Sequence, residues 1–266
     1  SPRLLALALT QRPSQGYAML ENGKLESWVK NSLNDKDAAA QFHEIVSRAR
    51  STSRGLRRNE IQAISRASAI LDHQGSLWYR DITFSRGGFN ALLAYAFQEG
   101  GPIKNTVAEI LESGVLLDII YSEIKKKSSD RKKDEGWMKL GAASDCFEFM
   151  EKRNQPGFGL ERCLYELNPT ISCLSSVLEG TYVRDVVQLI DILEVKALKA
   201  DGKIKLFDRH TAAFIAARTK RMNKQIQSVA ALKEGSVDYI YALAMLFARM
   251  QHLMSPSPKP GLCLWV

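Results

Sequence analysis

The chain has 266 residues and a formal charge of +8, from 37 Lys and Arg against 29 Asp and Glu. Hydrophobic residues make up 45% and charged residues 25%, with 17 Gly, 8 Pro and 4 Cys. Those figures exclude a collagen-like chain, a disulfide scaffold and a disordered tail, and the length allows one large domain or two small ones.

The opening segment reads as strands. Leu4–Leu9 is an apolar run ended by Gln11-Arg12-Pro13, and Tyr17–Leu20 is followed by Glu21-Asn22-Gly23. Asn-Gly between two strand-like runs is the strongest short hairpin signal, so Lys24–Val29 is expected to return as a strand, with Leu25 and Val29 on one face. Asn34 or Asp35 then caps a helix carrying Ala38, Phe42, Ile45, Val46 and Ala49. From there the chain reads as mostly helical. Ile61, Ile64, Ala67 and Ile70 or Leu71 make one apolar stripe. Residues 76–85 are aromatic and β-branched, the one later strand candidate. Helices are expected at 89–97, at 103–126 (one or two, because Gly114 falls in the middle) and at 137–150. Further helices are expected at 182–198, 207–226 and 237–254. Ser255–Pro260 reads as an extended linker. The expected organisation is a small α/β segment over 1–85, a helical domain over 86–254 and a Pro-rich linker with an apolar tail over 255–266. The fold class is mainly α: a multi-helix globular protein with a small β-hairpin in its N-terminal segment. The apolar end, Leu264-Trp265-Val266, suggests a piece of a longer parent chain.

The order of elements over residues 4–29 (apolar strand, turn, Gly16-Tyr17, second strand, Asn22-Gly23, third strand) resembles the opening of the ribonuclease H-like nucleases and junction resolvases. That family places a metal-binding Asp at the end of the first strand. Ala6-Leu7-Ala8-Leu9-Thr10 has no acid there, so two-metal phosphoryl chemistry, which needs convergent carboxylates, is not expected. A plain hairpin is the preferred reading.

Other chemistries find little support. There is no GxxxxGK[ST], no GxGxxG and no GxSxG. Gly87-Gly88 beside Arg86, and Gly100-Gly101, read as helix-breaking turns. His43, His73, His210 and His252 have no ligand-spaced companions, and Asp208 and His210 on one helix would point apart. The four cysteines, Cys146, Cys163, Cys173 and Cys263, form no CxxC pair and read as reduced thiols. Asp201-Gly202-Lys203 lacks the oxygen ligands of a calcium loop. No cofactor and no metal are expected, nor is a membrane span. The expected location is cytoplasmic.

The informative feature is the distribution of charge. Arg48–Arg58 holds five Arg and no acid, Lys125–Lys133 six cations against Asp130, and Arg218–Lys224 four cations and no acid. These windows carry fifteen positive charges and one negative, which leaves −6 for the rest of the chain. In the first, Arg48, Arg50, Arg54, Arg57 and Arg58 straddle a polar hinge, and Arg forks suit phosphates. In the third, Arg218 and Arg221 share a helix row beside Lys220 and Lys224, so four cations would line one face and follow a phosphate backbone. The second reads as a solvated loop. No aromatic residue falls within the islands, which favours backbone contact over base stacking.

The leading expectation is a non-catalytic helical module that contacts nucleic-acid phosphates through these nine residues, as part of a larger chain or complex. One alternative is a protein–protein interaction or scaffold domain meeting an acidic partner surface, supported by the apolar 237–253 helix and the tail. The other is a nucleic-acid-processing enzyme drawing on scattered acids such as Asp81, Asp118, Asp145 or Glu148.

Overall fold

The computed structural model describes residues 1–51, 56–126, 139–199, 205–254 and 257–265. It divides into two compact units, Ser1–Ser144 and Asp145–Val266. Among the described residues are fifteen α-helices and one two-stranded antiparallel sheet, so the chain is mainly α with a small hairpin. The expected boundary at residue 85 falls inside the first unit.

The first unit opens with α1 (Pro2–Gln11), α2 (Pro13–Glu21) and α3 (Lys24–Ser32), where strands were expected. Pro2 and Pro13 stand in the first turns of their helices, where a missing N–H costs nothing. Leu25 and Val29 are both buried, as they would be on one strand face, because residues four apart share a side in either structure. Trp28 decides between the two periods: it packs on the same core as Leu25 and Val29, which only a helix permits. The Asn22-Gly23 turn is real, but Gly23, at φ 74°, joins two helices. The likeness to a ribonuclease H-like opening therefore falls, since residues 2–32 hold no strand.

Next come α4 (Lys36–Ser51) and α5 (Leu56–Leu71), which with the first three helices enclose a core around Leu9, Leu20, Phe42 and Ile64. The hairpin lies further along the chain: β1 (Leu77–Tyr79) pairs with β2 (Ile82–Phe84) in the register Leu77↔Phe84 and Tyr79↔Ile82. Its two-residue turn puts Arg80 at φ 53°, a left-handed conformation that favours glycine. Then follow α6 (Phe89–Glu99), α7 (Gly101–Ser113) and α8 (Val115–Lys126). Gly114, at φ 69°, ends α7 and settles the 103–126 stretch as two helices.

The second unit begins within α9 (Leu140–Glu151) and continues with α10 (Leu160–Leu167), α11 (Val186–Lys199) and α12 (Arg209–Arg218). It closes with α13 (Asn223–Ala230), α14 (Val237–Met254) and α15 (Pro260–Trp265). Asp208 caps α12 by accepting the Thr211 N–H at 2.8 Å, while the Thr211 hydroxyl accepts the Asp208 N–H at 2.7 Å. The expected 207–226 helix is broken: Thr219 is extended and Lys220–Met222 forms a single 3₁₀ turn. The apolar tail forms the short helix α15 over Pro260–Trp265. The buried Glu194 carboxylate accepts the Gly261 and Leu262 N–H groups at 2.7 and 2.8 Å, satisfying the open first turn of α15, and Leu262 is buried. Among the described residues no helix is long and apolar enough to cross a membrane.

Candidate phosphate-contact site

The first basic island is spent mostly inside its own unit. Arg48 leaves α4 toward Asp118 of α8, with Nη1 donating to Oδ1 at 3.0 Å, and Nη2 reaches Glu44 at 2.7 Å. Asp118 also accepts Arg66 Nε of α5 at 2.8 Å, so one carboxylate ties three helices. Arg50 donates to the Glu21 carbonyl oxygen at 3.2 Å. Arg58 stands 3.2 Å from Glu109 and 3.4 Å from Glu112, both on α7. Glu109 in turn holds Arg80 at 2.6 Å and accepts the Tyr79 hydroxyl at 2.9 Å, which anchors the strained hairpin turn. Burial and the adjacent Glu109 charge push the Tyr79 phenol well above its ordinary range. These guanidinium groups are ties between helices, where the sequence suggested a cationic surface. Arg54 lies outside the described residues.

Arg57 is the exception. It is exposed and lines a groove of about 760 Å³ with Arg58, Arg80, Ser14 and the half-buried Trp78. The fold thus brings an aromatic ring beside the island, although none lies within it in sequence. Glu60 and Asp81 share the groove and offset part of its charge.

The third island divides at Thr219. Arg218 turns inward: Nη1 donates to the Tyr165 carbonyl at 2.8 Å, Nη2 to the Ile171 carbonyl at 3.1 Å, and Nε to the Arg184 carbonyl at 3.3 Å. Its guanidinium lies 4.8 Å from the centre of the Phe214 ring. Burial lowers its pKa, which these carbonyl contacts accompany without an opposing carboxylate at hydrogen-bond distance. Arg218 is therefore a staple for the 165–184 segment, and the expected four-cation helix face does not form. Lys220, Arg221 and Lys224 are exposed on the 3₁₀ turn and the start of α13, while Met222 between them and Ile226 after them are buried. None of the three has an ion-pair partner among the described residues. No acid occurs from residue 219 to 232. Of the second island, residues 127–133 lie outside the described residues, as do the side chains of Lys125 and Lys126.

A polar cluster in the second unit was invisible in the sequence. The Tyr165 hydroxyl accepts the Leu174 N–H at 2.8 Å and lies within hydrogen-bond distance of His210 Nδ1, at 2.8 Å. The Ser175 hydroxyl donates to Asp208 at 2.7 Å. Asp208 and His210 thus serve different partners, Ser175 and Tyr165. Burial pushes the nearby Cys173 thiol up to about 12 and raises Cys163 as well, so both hold their protons at neutral pH and are poor nucleophiles. Among the described residues no three His, Cys, Asp or Glu side chains converge where a metal ion could sit. Of the scattered acids, Asp118 is taken up by Arg48 and Arg66.

No protein-family model, no curated protein and no solved structure matches the chain.

Proposed function

We propose that the chain is a non-catalytic helical module that contacts nucleic-acid phosphates through Lys220, Arg221 and Lys224. One observation carries this reading: three exposed cations lie within five residues of a stretch that has no acid, and none has an ion-pair partner among the described residues. Cations left unpaired by their own fold are the ones that can displace the counterions condensed on a phosphate chain. Arg57 beside Trp78 is a subsidiary contact in the other unit, where a ring gives a base a surface to stack on. Arg48, Arg50, Arg58 and Arg218 are set aside as contacts, because carboxylates or carbonyl groups of the chain already engage them.

The test is fluorescence anisotropy with labelled duplex and single-stranded DNA and RNA, at two salt concentrations. Three phosphate contacts predict an affinity that falls by roughly 20- to 40-fold between 50 and 200 mM salt. No binding at the lower salt contradicts the proposal.

A further inference from the structure

Helix α14 has two apolar faces where a surface helix has one. Leu243, Leu246, Phe247 and Met250 are buried against the second unit. On the opposite side Val237 is 82% exposed, Tyr241 68%, Met245 51% and Ile240 40%. Spacings of three and four residues place these side chains, with the exposed Ala248, on one continuous stripe about three turns long. An apolar stripe of this kind on a solvent-facing helix marks a contact surface.

The charges beside the stripe indicate what covers it. Asp238 and Arg249 are both exposed, and neither has an ion-pair partner among the described residues. They stand eleven residues apart, close to three whole turns, so both lie on the same flank of the stripe. In an antiparallel pair of α14 helices centred near Ala244, that flank of one copy faces the same flank of the other. Asp238 then stands within about 3 Å, along the axis, of the level of the second copy's Arg249, inside the reach of an arginine. The two-fold symmetry makes the contact twice. In the same register Tyr241 lies level with Ala248 of the other copy, and Met245 level with Ala244, so large side chains meet small ones.

We propose that the outer face of α14 is a self-complementary, antiparallel dimer contact that binds a second copy of this chain. It is independent of the phosphate reading, since it uses none of Lys220, Arg221 and Lys224. One helix pair is a small interface, so the association is weak and concentration-dependent.

Sedimentation equilibrium of the full chain, from about 1 to about 500 μM, tests it, the range suiting a contact of small area. The expected average mass rises from 29.8 kDa toward twice that value. Met245→Glu keeps the mass at 29.8 kDa throughout. Asp238→Arg and Arg249→Asp each weaken association by about tenfold or more, because each sets like charges opposite one another twice. Mixing those two single variants restores it, since every flank contact in the mixed pair again joins opposite charges. All the substituted side chains are exposed, and circular dichroism verifies that each variant is folded. A mass that stays at 29.8 kDa for the unaltered chain overturns the proposal. So does association that survives Met245→Glu, or a mixture that fails to restore it.

Discussion

Two basic windows that look alike in the sequence have opposite fates in the fold. Arg48–Arg58 sits in the first unit opposite α7 and α8, whose Glu109, Glu112 and Asp118 draw its guanidinium groups into ion pairs. Lys220–Lys224 sits in the second unit with no carboxylate at ion-pair distance among the described residues. The difference lies in the acids supplied by other elements, since neither window contains an acid of its own. A basic run therefore marks a binding surface only after its intramolecular partners have been subtracted.

Arg218 gives the largest expected effect, because it belongs to the third window by sequence and to the interior by structure. Arg218→Ala removes a charged donor from several carbonyl oxygens at once and leaves them unsatisfied. Unfolding of the second unit should become easier by roughly 3–5 kcal/mol in a urea titration. Arg218→Lys retains the charge but not the fork, and recovers only part of the loss. An Arg218→Ala protein with unaltered stability would place this arginine with the surface cations after all.

Asp118 tests the other window. Asp118→Ala strips Arg48 and Arg66 of a shared carboxylate, and Arg66 is largely buried. The expected cost is about 2–3 kcal/mol, read as a lower urea midpoint for the first unit. Arg48→Ala should cost less, near 1 kcal/mol, because that side chain is half exposed and its pairing is screened. Equal, negligible effects of both would mean that the first island is surface charge.

The smallest expected stability effect belongs to the proposed contact itself. Lys220→Ala, Arg221→Ala and Lys224→Ala combined should shift stability by less than about 0.5 kcal/mol, since exposed unpaired cations hold nothing together. A larger loss in urea unfolding would show that they have structural partners.

The mainly α class and the later helices were legible because apolar spacings of three and four residues persist over long stretches. The first thirty residues were not, since Leu25 and Val29 fit a strand as well as a helix and Asn22-Gly23 turns the chain in either case. Trp28 resolved the ambiguity only through its packing on the core. Within the candidate site, the exposed Lys220, Arg221 and Lys224 were legible as a cluster. The neutralisation of the first island was not, because Arg48 and Arg58 meet acids 70 and 54 residues away. The inward turn of Arg218 was equally hidden, since the carbonyls it serves lie 34 to 53 residues upstream. Trp78 came to Arg57 by the same route, through the hairpin fold.

The central claim is that phosphate contact belongs to Lys220, Arg221 and Lys224. The most direct measurement compares the salt dependence of nucleic-acid binding for the unaltered chain and for the triple alanine variant. The account predicts that the variant loses affinity for every sequence alike and that the slope of log K against log salt becomes shallower by about two to three. An unchanged slope in a fully folded variant would contradict it.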